Sequence, residues 1–479
     1  MERRRRIAAD GRNRGMEENT LAILDTSGFN NSKFSPHLND DRLAFLEAVR
    51  TASLLPDNGS APTGKMFEAI FHILKDVDSL DLMMESYQLL IELDKCFPRV
   101  YLSKGECLDS SLPSEVLYEL IIVEEAWIPF NFRLDGYNEK REAANHSSIS
   151  VDALGFHALI QDIDRMAKEM KSEEVKASVE TNFLKNMLLL QYLITVLEGD
   201  FLPRNCTYQE TMNWTILRES QLNLLLGSRK IIYKGLMKDC LSIMCDMSQL
   251  SVFSEEDGST GELLHGITSV TTLALPEMKK STCNLLKKLL LMIMELDSSR
   301  RVADQQGHTT RADGVRTPAM EIILDELMYN NDILPSFLQV FDPRWKLEII
   351  VQYFQKYIPK YSVQTRRSSG AVKTENFDGV LKCLSNSNIT KSIVKKISSE
   401  VVQLLLAYAF QAYLALFYQH VSGGVSVTVE HVKSNSLHEI CKNLVSAFTS
   451  LRKEDPDTEM LCCSKEALFT AAAILSAKM

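Results

Sequence analysis

The sequence predicts an all-α protein, an irregular armadillo/HEAT-like α-solenoid of stacked amphipathic helices. Three observations predict it. Apolar residues recur at helical spacing in segment after segment, as with Leu43, Leu46, Val49 and Leu54 in the stretch Asn39–Leu55. Turn residues punctuate these segments, Pro56 and then Asp57-Asn58-Gly59-Ser60 closing the first. Finally, 479 residues with 45% hydrophobic content exceed what one core sustains, yet no long Pro/Gly/Ser linker divides them, which favours a continuous stack. Gly (20) and Pro (13) are both below average usage, as long helices require.

Residues 1–19 are polar and basic and are predicted to be a disordered tail. A short apolar turn, Leu21–Asp25, is expected to dock on the first helix. That helix starts at Asn39 or Asp40 as N-cap, with carboxylates facing the positive end of its dipole. Helices follow over 66–75 and 80–96, the latter stopped by Pro98, and then from Pro113 to Glu125 with Ser111 as cap. Trp127–Phe132 reads as an aromatic seal. Residues 136–148 form an exposed loop, and Ser150 caps a helix to Met170. Asn182–Leu197 is apolar on every side, the pattern of a helix at the centre of a large core.

Further helices are predicted over 208–226, 231–250, 263–275 and 279–296. Residues 298–316 have no apolar periodicity and are expected to be a disordered loop between an N-terminal half, 20–297, and a C-terminal half, 317–479. The second half predicts helices over 317–329, 334–340, 344–357, 377–384, 390–418, 429–451 and 465–477, with a polar loop over 364–373. Only Val425–Val429 looks like a strand. Helix pairs recur at roughly the 40–47 residues of HEAT and armadillo units, without a repeated signature.

Charge and cysteine usage narrow the function classes. A net charge of −10 argues against a general nucleic-acid binder, which must neutralise phosphates. Residues 1–14 hold six Arg against Glu2 and Asp10, so the remainder is more acidic still. Arg3, Arg4, Arg5 and Arg6 form a candidate nuclear-import signal, with a solvated tail as the competing reading. Met16 is a second candidate start. The ten cysteines include no C-x-x-C pair and mostly lie on apolar helix faces, as reduced, buried thiols do. No apolar run follows the charged N-terminus, so no secretory signal is expected.

No chemistry-bearing motif survives inspection. Gly59–Met66 approaches the phosphate-binding G-x-x-x-x-G-K-[ST], but a helix precedes it, Pro62 lacks an N–H, and Met66 replaces the magnesium-binding hydroxyl. The nine His show no zinc spacing, His431 and His438 lie two turns apart on one predicted helix, and Cys462-Cys463 are adjacent. The apolar run Val401–Tyr418 has the length of a membrane span, but Gln403, Gln411 and its aromatics fit a central packing helix better. No catalytic residue, cofactor or metal is expected. Ser368 and Ser369, after Arg366-Arg367 in a predicted loop, are candidate phosphosites. Trp127, Phe130 and Phe132, and Arg344 and Trp345 within Asp342-Pro-Arg-Trp, are candidate anchors for a protein partner, with core packing as the competing reading.

Asn19–Gly28, Asp40–Arg50, Val123–Phe132 and Phe337–Leu347 resemble, in that order, blocks of a plant family, the negative regulators of systemic acquired resistance. The resemblance runs from about residue 19 onward; residues 1–18 depart from it. It implies an armadillo-like nuclear protein that restrains defence genes. It also implies a role similar to the sixth non-SMC element of the structural-maintenance-of-chromosomes complex in DNA damage and recombination, paired with a fifth-element-like subunit. The expectation is therefore a non-enzymatic nuclear scaffold with protein partners, touching chromatin indirectly and no membrane. A cytoplasmic trafficking or transport adaptor and a direct DNA-binding repressor are the alternatives.

Overall fold

The structure, a computed structural model, describes residues 38–54, 59–104, 118–132, 150–170, 177–252, 270–314, 316–329, 334–358, 376–422 and 437–477. Among them are seventeen α-helices and one two-stranded sheet, so the fold is all-α as the periodicity predicts. The chain divides into two compact units, Met1–Ala319 and Met320–Met479.

The first unit opens with α1 (Leu38–Ser53), α2 (Gly64–Asp76) and α3 (Leu80–Cys96), which pack on one another. A hairpin of β1 (Val100–Lys104) and β2 (Tyr118–Ile122) follows, antiparallel, with Val100 opposite Ile122 and Lys104 opposite Tyr118. This corrects the helix expected over Pro113–Glu125 from Tyr118 onward; its start lies outside the described residues. Tyr118-Glu-Leu-Ile-Ile122 is aromatic and β-branched and finds a partner strand of the same kind, so pairing overrides a short helical pattern. The stretch Val425–Val429 lies outside the described residues.

Helix α4 (Ala153–Glu169) is capped by Asp152, whose carboxylate accepts the Gly155 N–H at 2.8 Å, two residues later than the cap expected at Ser150. Next comes α5 (Ala177–Thr211). Phe183, Leu184, Met187, Leu188, Leu190, Tyr192, Leu193, Ile194 and Leu197 on it are all buried. It packs against α2, α3, α4 and both strands, and also against the elements that follow it, α6 (Trp214–Arg218), α7 (Gln221–Gly227) and α9 (Val270–Gln305). The predicted helix over 208–226 is thus three pieces, because Met212 turns to φ 54° and Asn213 and Ser220 start new helices as caps. Helix α8 (Tyr233–Val252) packs on α4 and α9.

The loop expected over 298–316 is folded where described. Helix α9 runs on to Gln305, a 3-10 turn spans Arg311–Asp313, and the Arg300 guanidinium donates to the carbonyls of Asp313 (2.7 Å) and Gly314. The stretch lacks apolar periodicity because charge-assisted hydrogen bonds, not an apolar stripe, hold it. It belongs to the first unit.

The second unit, from Met320 onward, comprises α10 (Ala319–Tyr329) after its first residue, α11 (Leu334–Val340), α12 (Pro343–Tyr357), α13 (Phe377–Leu384), α14 (Ser387–Ile397), α15 (Ser399–Ser422), α16 (Leu437–Glu454) and α17 (Cys462–Ser476). Ser398 at φ 61° splits the single helix expected over 390–418 into α14 and α15. Helix α15 is long and apolar enough to cross a membrane by length and composition, and 56% of its most apolar window is buried. It packs against α12, α14, α16 and α17. Gln403 on it accepts the Leu461 N–H (3.0 Å) and donates to the Glu459 carbonyl (3.3 Å). It thereby fixes the start of α17, where the cap residue Leu461 offers no side-chain acceptor.

Of the described cysteines, Cys240, Cys245, Cys383 and Cys441 are buried, Cys283 and Cys463 are half-buried, and Cys96, Cys206 and Cys462 are exposed. The expectation of mostly buried thiols therefore holds in full only for the first four, and the last three face outward.

The two leucines of α5 at opposite extremes of exposure give a direct test of its central role. Leu190→Ala at full burial is expected to destabilise the first unit by about 2–5 kcal/mol, and Leu202→Ala, 46% exposed, by less than about 1 kcal/mol. Urea denaturation followed by circular dichroism measures both.

Candidate functional site

The aromatic segment after β2 turns inward. Trp127 stacks on Phe67 with centroids 5.8 Å apart and an interplanar angle of 9°, and lies against Phe71 at 5.5 Å. Phe71 in turn meets Tyr192 of α5 at 5.9 Å. Phe130 stacks on Phe132 at 4.6 Å and meets Phe156 of α4 edge-on at 6.5 Å. Such pairs contribute about 0.5–1.5 kcal/mol each beyond the area they bury. Phe130 and Phe132 are buried and Trp127 is half-buried, so the segment acts as the seam joining α2, α4 and α5.

At the inner end of this chain of rings the Tyr192 hydroxyl faces the Asp94 carboxyl of α3. The Asp94 Oδ2 and the Tyr192 hydroxyl oxygen are both sealed from solvent. Burial pushes the Asp94 carboxyl up to about 7, with the Tyr192 hydroxyl pulling the other way. Burial, and then the neighbouring Asp94 charge, raise Tyr192 well above the ordinary tyrosine value.

The second candidate anchor lies at the surface. Asp342 is the N-cap residue of α12 and Pro343 its first residue, a position where the missing N–H has no consequence. The Arg344 guanidinium sits over the Trp345 ring at 5.2 Å, Arg344 exposed and Trp345 half-buried, and Lys346 sits over Tyr408 of α15 at 5.5 Å. Of the two predicted anchors, this is the one that presents an aromatic and a cation together. Arg3, Arg4, Arg5, Arg6, Ser368, Ser369 and His431 lie outside the described residues. The near-match Gly59–Met66 has α1 before it and becomes the start of α2, with Thr63 as N-cap, so it is not the strand-to-helix turn that cradles phosphate. Among the described residues no three or more His, Cys, Asp or Glu side chains are grouped to hold a metal.

Sequence reading missed three acids with covered side chains that join elements of the first unit. Asp297 of α9 accepts two hydrogen bonds from Arg316 (3.0 and 2.7 Å), one from the Ala319 N–H (2.7 Å) and one from the Tyr233 hydroxyl (3.4 Å). Asp313 accepts from Trp214 Nε1 (3.2 Å) and the Thr310 N–H (2.7 Å), and pairs with Arg218 (3.2 Å). Burial alone would raise its carboxyl, but the Thr310, Trp214 and Arg218 contacts together hold it below the usual range. Asp200 of α5 accepts from Arg204 (3.3 Å) and from the Gln221 N–H at the start of α7 (2.7 Å). Local spacing marks only the Asp200–Arg204 and Thr310–Asp313 contacts; the partners that join elements lie up to about a hundred residues away. Each is engaged in structure, with its lone pairs committed to fixed donors.

A family model described as the SNI1 middle domain matches residues 99–343, and one described as the SNI1 C-terminal domain matches residues 358–479. The Arabidopsis thaliana protein named negative regulator of systemic acquired resistance SNI1 is 44% identical over 466 residues, spanning 97% of this chain and 95% of that protein. No solved structure matches the chain.

Two substitutions test this reading of the buried acids. The folded pKa of Asp94 lies above its unfolded value of 3.8, so its contribution is fully present below about pH 4 and lost as pH rises through about 7. Asp94→Asn is expected to leave stability unchanged near pH 4 and to raise it by on the order of 2 kcal/mol at pH 8, read from thermal melts across that range. Asp297→Ala leaves the Arg316 guanidinium, 10% exposed, without its carboxylate and is expected to cost about 3–5 kcal/mol, measured by denaturant unfolding.

Proposed function

The chain belongs to the family of the negative regulator of systemic acquired resistance SNI1, and from that premise we propose that it holds plant defence in check as a non-enzymatic nuclear scaffold. The observation that carries the proposal is the 44% identity to the Arabidopsis thaliana regulator along nearly the whole of both chains. In its finer form, the protein is a subunit of a structural-maintenance-of-chromosomes complex acting in DNA damage response and recombination. Its direct partner there is a protein resembling the fifth non-SMC element, and it reaches chromatin through that complex.

Three features support this reading. Stacked helices expose long side-chain surfaces suited to protein partners. The buried acids of the first unit are committed to helix–helix contacts, as in a protein whose work is to hold a shape. A net charge of −10 disfavours phosphate neutralisation, so a chromatin role would run through other subunits.

Two measurements test the proposal at its two levels. Expressing this chain in plants that lack their own copy is expected to lower basal defence-gene transcripts towards the wild-type level; unchanged transcripts would remove the regulatory role. Purification of the tagged chain from nuclease-treated nuclear extract, read by mass spectrometry, is expected to recover chromosome-maintenance subunits. Recovery of only transport or coat proteins would overturn the complex assignment while leaving the family intact.

A further inference from the structure

Helices α1 and α3 carry a face that the core does not use. On α1, Phe45, Leu46 and Val49 turn inward, while Leu43, Ala44 and Glu47 are exposed. On α3, Leu82, Met83, Leu89 and Leu90 turn inward, while Asp81, Met84 and Glu85, at i, i+3 and i+4, lie on the outer side. The two outer faces enclose an open groove of about 640 Å³, with Leu46 at its floor. That volume is in the range of sites that accept a few large side chains.

The lining has a definite chemistry. Leu43, Ala44, Leu46 and Met84 supply apolar surface, and Leu43 is 38% exposed. Glu47, Asp81 and Glu85 supply three carboxylates, and no Lys or Arg is among the lining residues. One of these carboxylates is already engaged, since Arg50 of α1 pairs with Glu85 at 3.0 Å and with Glu92 at 3.2 Å. Glu47 and Asp81 point their charge to solvent. Helix α1 packs on α2 and α3, so the groove lies at the margin of the first unit.

We propose that this groove docks a basic amphipathic helix of a partner protein. Two apolar side chains one turn apart on that helix enter between Leu43 and Met84, and flanking Lys or Arg face Glu47, Asp81 and Glu85. Helix-in-groove recognition takes this form, apolar anchors at i, i+3 or i+4 for affinity and rim charges for orientation and on-rate. An acidic peptide is repelled by the rim, and a purely apolar one leaves Glu47 and Asp81 unmatched. The inference stands on the groove itself and holds whichever complex the protein joins.

The test uses the full chain and a labelled helical peptide of about 18 residues, with Leu on one face and Lys on the other, followed by fluorescence anisotropy. A peptide of identical composition, scrambled so that its Leu share no face, is the control. The amphipathic peptide is expected to bind about tenfold or more tighter than the control, and Glu47→Lys with Asp81→Lys to weaken it about tenfold. Met84→Asp is expected to weaken it as well, although it makes the groove more acidic, because it removes one apolar wall of the groove. Glu47 and Asp81 are exposed and Met84 is half-buried, and matching melting curves verify the folded state of each variant. Equal binding of the two peptides, binding indifferent to Glu47→Lys with Asp81→Lys, or binding strengthened by Met84→Asp overturns the proposal. So does binding that appears only after residues 1–14 are removed, since the groove would then be occupied by the chain's own Arg-rich segment.

Discussion

A helix without a polar face has to be surrounded, and the first unit is organised by that requirement. From Phe183 to Leu197, α5 offers water almost nothing to bond, and α2, α3, α4, α6, α7, α9 and the β-hairpin enclose it. Lys185, Asn186 and Thr195 are only half-buried, and within the buried part of this surface one amide breaks the apolar run. Gln191, 1% exposed, accepts from the Tyr87 and Ser281 hydroxyls (both 3.1 Å) and donates to Thr282 Oγ1 (2.9 Å) and the Met278 carbonyl (3.3 Å). An amide left unpaired there would carry a desolvation cost of about 1–3 kcal/mol, so its partners fix how α3 and α9 sit against α5. Apolar burial drives the association and one satisfied amide selects its register.

The second unit repeats the arrangement with different residues. Helix α15 is the apolar core helix, and Gln403 is its polar exception, tied to the start of α17. Asp378 on α13 plays a related part, accepting from Asn443 on α16 at 2.7 Å and pairing with Lys382 at 2.6 Å. In both units a few buried polar groups set geometry that a greasy interface would leave free to slide.

Those two tiers differ in how they can be read from sequence. Apolar periodicity is local, and it located α5, α15 and most other helices because each turn of a helix repeats its own signal. Boundaries were less legible. The breaks at Met212 and Ser398 depend on single residues taking positive φ, which neither residue type advertises. The hairpin was missed because Tyr118–Ile122 is too short for periodicity to decide, and its partner lies across a gap in sequence. The ordered run through Arg300, Asp313 and Arg316 was missed for a deeper reason. Its stability resides in pairings over long separations, and a string of Arg, Asp and Thr without apolar residues looks the same folded or solvated. Of the predicted anchors, Trp127, Phe130 and Phe132 were recognised as aromatic, but whether an aromatic faces in or out is decided by what packs over it.

That distinction bears on what family resemblance conveys. Val123–Phe132 and Phe337–Leu347, two of the blocks that carry it, are largely packing segments: Phe130, Phe132, Phe337, Phe341 and Leu347 are all buried. A chain that keeps such residues keeps the shape of its stack, and the resemblance is in that sense a statement about architecture. Recognition must be read from the other side of the helices. There the sequence alternates charge and small apolar residues with no motif to mark a site, as on the outer faces of α1 and α3. An α-solenoid separates the two problems physically, since the inward stripe of each helix answers to its neighbours and the outward one only to solvent and partners. The specificity of such a scaffold therefore resides in positions a motif search passes over, and the geometry of neighbouring helices is what brings them together.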